Sequence, residues 1–271
     1  PAWLKEHGYE PPEEERIVVN VSYMTRLYRR RPGDLGGAKV AVTVPEPGES
    51  RFGGVMIAQE GDRWTVTLAG YGGQHPPGDD EGFLAAAREL PAPDIYEVVS
   101  KNEPLTDCIP YRFPASVRRR YEKLSRFPEG FLVFGDAICS FNPVYGQGMS
   151  VAALEAMDLQ LALRDGLDGL YRRFFARAAK TVDNPWQIVA GGDLRRPEAE
   201  GKRTRSMRFI NWYLSRLHVA ARSDPAVARA FNRVGSLLAP PASLMRPGIV
   251  MRVVRGNLRR SGPRPAPTSE R

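Results

Sequence analysis

Residues 131–158 read FLVFGDAICSFNPVYGQGMSVAALEAMD and hold the densest chemistry in the chain. Phe131-Leu132-Val133-Phe134 is a short unbroken apolar run, which predicts a strand buried on both faces. Gly135-Asp136-Ala137 follows at its carboxyl end, and in open α/β sheets ligands bind in the crevice beyond that end. The Asp136 carboxylate can accept hydrogen bonds from ligand hydroxyls. Pro143 fixes a turn. Gly146 and Gly148, on either side of Gln147, carry no Cβ, so backbone can approach a flat or anionic ligand closely. A helix beginning near Met149 then offers unpaired N–H groups and a positive dipole end to that ligand. Its residues Met149, Val151, Ala152, Leu154, Ala156, Met157, Leu159 and Leu161 are apolar on most sides, which predicts a buried helix. A GxG turn alone is weak evidence. The whole string of strand, Gly-Asp-Ala, Pro143, GxG and helix is much more specific.

Little else in the chain competes with this segment. Cys108 and Cys139 lack the CxxC spacing of a metal site and are too few for a disulfide framework. They read as reduced thiols, as expected of a cytoplasmic protein. His7, His75 and His218 are scattered in sequence, so no metal site or catalytic triad is expected from them.

Around that segment the elements are legible. Residues 1–15 read as a loop or short helix. Strands are expected at Arg16–Arg29, Ala38–Val44 (stopped by Pro45 and Pro47), Phe52–Gln59 and Arg63–Leu68. Glu60-Gly61-Asp62 signals a hairpin between the last two. Asp79-Asp80-Glu81 opens a helix running to Leu90, with its acids where the helix dipole favours them. A second short helix is expected at Ile95–Asn102 and a strand at Cys108–Phe113, while Val117–Leu124 is polar and basic. Residues 16–115 thus predict an antiparallel sheet with helices beside it. The change of character at Phe131 predicts a late element of a doubly wound α/β sheet.

The chain has 271 residues, 42% of them hydrophobic, which excludes whole-chain disorder. No apolar run approaches the 18 residues of a membrane span, and no secretory leader is visible. The net charge of +8 is uneven. Residues 195–271 hold 17 Lys and Arg against 4 Asp and Glu, whereas residues 1–194 hold 22 against 27. Met207, Ile210, Tyr213, Leu214 and Leu217 recur at helical spacing among Arg208, Arg216 and Arg222. That pattern fits an ordinary packed helix or one lying on an anionic membrane surface. No recognised nucleic-acid motif accompanies the charge. Ser261–Arg271 is rich in Pro, Ser and Arg and is expected to be a disordered tail.

The string GDA…NPxxGQGM…A resembles the flavin-binding signature of the FAD-dependent monooxygenase superfamily. That superfamily includes relatives of para-hydroxybenzoate hydroxylase, squalene-epoxidase-like enzymes and flavin halogenases. The resemblance implies FAD contacts from Gly135, Asp136, Ala137, Pro143, Gly146, Gln147, Gly148 and Met149. Asp136 would hold the ribityl chain, the Pro143–Gly148 turn would lie against the isoalloxazine, and the helix start would face its pyrimidine edge. The implied reaction is reduction of FAD by NAD(P)H, then oxygenation of a small hydrophobic or aromatic compound. Tyr111, Arg112, Trp186, Tyr71 and His75 are candidates to line the substrate pocket, with Trp186 expected in a loop after Pro185. A flavin reductase of isoprenoid double bonds is the rival enzyme. A non-catalytic membrane-surface module is the rival of another class. The WxWxIP texture of the halogenase branch is absent around Asn184–Val189.

Two parts of the superfamily pattern are missing. No GxGxxG occurs to hold the pyrophosphate, because Gly146-Gln147-Gly148 continues Met149-Ser150-Val151. The Asp-Gly motif that should precede the substrate lobe is absent too. The sequence also opens at Pro1 rather than Met. The resemblance therefore implies the C-terminal portion of a truncated enzyme, binding FAD weakly or not at all by itself and poorly soluble through open sheet edges. The expected fold class is α+β. It joins an antiparallel substrate-lobe sheet (residues 1–128), the remnant of a Rossmann-like FAD-binding domain (129–194) and a basic helical region (195–260).

Overall fold

The computed structural model describes residues 1–44 and 50–260. Among the described residues the fold is mixed α and β, with six strands, eight α-helices and short 3-10 turns. It divides into two compact units. One comprises Arg16–Ser116 and Asp193–Gly201; the other comprises Pro1–Glu15, Val117–Gly192 and Lys202–Arg271.

The first unit is built on strands β1 (Glu14–Arg29), β2 (Val40–Thr43), β3 (Phe52–Gln59), β4 (Arg63–Gly70) and β5 (Ile109–Arg119), in the order β2-β3-β4-β1-β5. The pairings β2–β3, β3–β4 and β4–β1 are antiparallel. Gln59 opposes Arg63 across the expected hairpin. Its loop needs positive φ at Gly61 (70°) and Asp62 (49°), which glycine and aspartate tolerate best. Pro45 and Pro47, the expected stops of β2, lie outside the described residues.

Helices α2 (Asp80–Arg88) and α3 (Asp94–Val99) cover this sheet. Asp79 caps α2 by accepting the Gly82 N–H at 2.8 Å, as its acidic start suggests. Met56, Trp64, Val66 and Leu68 from the strands pack with Phe83, Ala87, Ile95 and Val98 from the helices in one core. The Trp64 indole N–H donates to Asp34 at 2.9 Å, so the largest core side chain is also polar-satisfied. Strand β5 runs longer than the expected Cys108–Phe113.

The second unit begins with α1 (Ala2–Glu6) and takes in the end of β5, which pairs antiparallel with the short β6 (Cys139–Ser140). Within the supposedly polar Val117–Leu124, Arg118 is buried, and its guanidinium donates to Asp183 at 2.6 Å. Helices α4 (Gly148–Leu163) and α5 (Leu170–Asp193) follow. Tyr121, Phe127, Tyr171 and Phe175 form an aromatic cluster with ring centroids 5.0–6.5 Å apart. Helices α6 (Arg205–Ala221), α7 (Pro225–Gly235) and α8 (Pro247–Arg260) share a core of Tyr213, Leu217, Ala220, Val227, Val234, Leu244 and Val253. The expected disordered tail lies outside the described residues.

Three expectations fail here. Phe131–Phe134 forms no strand, and Phe131 and Phe134 are exposed. A strand needs a neighbour for its backbone groups, and no described strand runs beside this segment. Helix α4 is not buried all round: Val151, Glu155 and Ala162 are buried, whereas Met149 is 87% and Met157 60% exposed. Its apolar residues circle the helix, but described neighbours cover one side only. Finally, Pro185 and Trp186 are inside α5, not in a loop, and Trp186 is buried. Pro removes one N–H and disfavours a helix without forbidding it, and burial of Trp186, Val189 and Ala190 favours the turn that carries them.

Candidate functional site: the Asp136 turn and the start of helix α4

The chain from Gly135 to Val151 makes three tight turns. Gly135 adopts φ +60°, and the 3-10 turn Gly135–Ala137 closes with Ile138 N–H donating to Gly135 C=O at 2.8 Å. After β6, the buried Asn142 accepts the Val144 N–H at 3.3 Å and starts the turn Pro143–Tyr145. Gly146 ends that turn at φ +64°, a left-handed conformation that an L residue enters only with strain. Gln147 is buried, and its side-chain amide donates to Gly235 C=O at the end of α7 at 2.9 Å. Helix α4 then starts at Gly148, with Val151 N–H bonding Gln147 C=O at 3.0 Å.

These turns bring Asp136 to the helix start. A Cβ built on Gly148 would lie 3.7 Å from Asp136 Oδ1. The Gln147 side chain does not cap α4, and the N–H groups of Gly148, Met149 and Ser150 in its first turn have no intrahelical acceptor. A carboxylate acceptor and a row of amide donors thus share one small region of surface. The two glycines play different parts. Gly146 is required by backbone conformation. Gly148 is not crowded by its own chain, since 3.7 Å is ordinary contact, but a side chain there would enter the space between Asp136 and the amides. Asp136, Ala137, Pro143, Gly146 and Met149 are exposed, Gly135 and Gly148 half-buried and Gln147 buried.

Glu155 belongs to this region too, although no motif in the sequence marks it. It sits two turns into α4, is fully buried, and accepts the Gly135 N–H at 2.7 Å. It ties the Asp136 turn to the helix. Burial pushes its carboxyl up to about 7, opposed by the Gly135 hydrogen bond and helped by the negative charges of Asp158 and Asp136. The other carboxyl oxygen has no hydrogen-bond partner. A glutamate in the otherwise apolar Val151–Met157 run was the available signal. Asp158 accepts the Thr181 hydroxyl at 2.5 Å, which braces α4 on α5. Burial pushes both thiols, Cys139 and Cys108, above the usual range, so neither is set up as a nucleophile.

The pocket candidates separate. Tyr71, His75, Tyr111 and Arg112 belong to the first unit, and Trp186 to the second. Tyr71 is buried under the Arg196 guanidinium, 3.7 Å from its ring centroid. Burial pushes its hydroxyl up to about 12, with Arg196 opposing the rise. His75 Nδ1 shares a 2.6 Å hydrogen bond with the Ser22 hydroxyl. Tyr111 is exposed, with its ring 6.1 Å from that of the buried Tyr23, and Arg112 is exposed beside it. Arg196 was not among the candidates, although a cation over an aromatic face is a strong local feature.

No family model matches the chain. It is 33% identical over 264 residues to Protein Rv3254 of Mycobacterium tuberculosis, a match covering 96% of this chain and 55% of that protein. The chain therefore spans about half the length of this curated relative. In structure it is similar to a flavoprotein/dehydrogenase from Cytophaga hutchinsonii, with TM-score 0.60, 13% identity, and coverage of 95% of this chain and 58% of that one. It is also similar to the flavin-dependent brominase Bmp2, with TM-score 0.53, 11% identity, and coverage of 95% and 61%. A third likeness is to the flavin-dependent halogenase CmlS, with TM-score 0.50, 14% identity, and coverage of 80% and 42%. At these identities the likeness is one of fold, and over nearly its whole length this chain has the fold of part of these flavoproteins.

Proposed function

We propose that the chain forms the flavin-ring and ribityl end of an FAD site, together with the substrate lobe, of an FAD-dependent monooxygenase. The observation that carries this reading is the Asp136 carboxylate beside the uncapped first turn of α4, across a glycine without a Cβ. Those residues fit a flavin. Asp136 would accept from ribityl hydroxyls, and the amides of Gly148 and Met149 would donate to an electron-rich ring edge, assisted by the helix dipole. Pro143 and the left-handed Gly146 fix the backbone of the turn between them. Glu155 positions Asp136 by holding the Gly135 amide.

When bound, FAD supplies the electron transfer and oxygen chemistry, with NAD(P)H as donor. The chain's own residues would bind and orient it. In the lobe, the exposed Tyr111 against Tyr23 and the exposed His75 bonded to Ser22 offer an aromatic face and a few polar groups, which suits a small hydrophobic or aromatic substrate.

Titration of FAD with the chain, followed by flavin fluorescence, tests the site. Weak saturable binding is expected, and Gly148→Val should remove it by filling the space beside Asp136. Equal affinity in G148V overturns the site. An oxygen electrode tests the reaction: NAD(P)H-driven oxygen uptake with an oxygenated product is expected. A product formed equally without oxygen overturns the monooxygenase reading in favour of a flavin reductase.

A further inference from the structure

Helices α6–α8 carry a pattern that a flavin site does not use. Residues 202–258 contain eleven Lys and Arg and one acid, Asp224. All eleven cations are exposed. Asp224 is already engaged: it caps α7 through Ala226 and Val227 and pairs with Arg252 at 3.0 Å. Within this stretch the cations thus outnumber the acids eleven to one.

Apolar ridges stand among the cations. On α6, Phe209, Trp212 and Arg216 fall at i, i+3 and i+7, on one face. Phe209 is 56% and Trp212 50% exposed. Their rings stack with centroids 5.8 Å apart, and the Arg216 guanidinium lies 4.4 Å from the Trp212 centroid. Arg205 and Arg208 are each four residues before one of the two aromatics. On α8, Met251, Val254 and Leu258 repeat the same spacing, and all three are exposed beside Arg255. Core packing does not explain these side chains, because Tyr213, Leu217, Ala220 and Val253 supply the buried faces of the same helices.

We propose that the exposed ridges of α6 and α8 dock on the surface of an anionic lipid bilayer. The arginines meet the phosphate headgroups, while Trp212 and Phe209 enter the boundary between headgroups and acyl chains, where aromatic rings are favoured. No described helix is long and apolar enough to cross a membrane, so the contact lies on the surface. Duplex nucleic acid would match the charge but would leave Met251, Val254 and Leu258 with nothing to bury against.

Co-sedimentation of the 271-residue chain with vesicles tests this. Binding is expected to equimolar phosphatidylglycerol and phosphatidylcholine, to be lost on pure phosphatidylcholine, and to weaken as salt rises. Arg205→Gln and Arg208→Gln should each lower partitioning about fivefold. The double variant Phe209→Ser, Trp212→Ser should weaken it further while leaving the thermal melt unchanged, since both side chains are exposed. Brominated acyl chains should quench tryptophan fluorescence in the wild type and much less in Trp212→Phe. Equal binding to pure phosphatidylcholine, no binding at low salt, or an F209S/W212S variant that binds vesicles like wild type would each overturn the proposal. Tighter binding to duplex DNA than to anionic vesicles would overturn it in favour of a nucleic-acid surface.

Discussion

The sheet core of the first unit and the segment Phe131–Leu163 of the second are both rich in large apolar side chains, yet they use them in opposite ways. In the sheet, Trp64, Met56, Val66 and Leu68 are all fully buried, because each strand has a paired neighbour and helices α2 and α3 close the face. In Phe131–Leu163, Phe131, Phe134, Met149, Leu154, Met157 and Leu163 are exposed. Apolar composition buries a segment only where backbone partners and a covering layer exist. Where they do not, the same composition makes an apolar surface, and an extended surface of that kind marks a binding region. Asp136 and the α4 amides lie within it.

Four substitutions break or sharpen this contrast. Trp64→Ala should destabilise the sheet unit by about 3–5 kcal/mol in urea denaturation, through cavity formation and loss of the Asp34 hydrogen bond. A loss near zero would mean that the sheet core is no better packed than α4.

Glu155→Gln should change the pH dependence of stability. The wild-type carboxyl is raised in the fold, from an ordinary value near 4.5 to about 7. The folded protein therefore binds more protons than the unfolded chain within that window, and stability must fall as pH rises through it, by up to about 3 kcal/mol. The glutamine keeps an acceptor for Gly135 and removes the slope, so E155Q should exceed the wild type in thermal stability at pH 8 and not at pH 4. Parallel pH profiles for the two proteins would contradict this.

Gly146→Ala should cost about 1–2 kcal/mol through left-handed backbone strain alone, because nothing lies within 4 Å of the added Cβ. Met149→Ser, at the most exposed of the apolar positions, should change stability by less than about 0.5 kcal/mol. A larger loss would show that α4 is covered after all.

The sheet was legible because its signals are local. Alternation in Phe52–Gln59, the turn residues Gly61 and Asp62, and the Asp79 cap each fix their own neighbourhood. The Asp136–Gly148 segment was legible as a motif, and the two residues do meet. What could not be read was anything set by distant partners. Phe131–Phe134 looks like a core strand, but pairing is not a property of its own residues. Trp186 looks like a loop residue because Pro185 precedes it, and tertiary packing keeps it helical. Glu155 hides because its meaning depends on Gly135, twenty residues earlier. Arg118 appears as one of three consecutive arginines, and only the fold shows that it is buried against Asp183 while Arg119 and Arg120 pair with Glu14 and Glu15.

We propose that Asp136 and the start of α4 hold a flavin by its ribityl chain and ring. The most direct measurement compares riboflavin with lumiflavin, which lacks the ribityl chain, on the wild type and on Asp136→Ala. The account predicts that D136A weakens riboflavin binding about tenfold or more, the scale of hydrogen bonds to a charged group, and leaves lumiflavin binding unchanged. Unchanged riboflavin affinity in D136A, or an equal loss for both flavins, would contradict it.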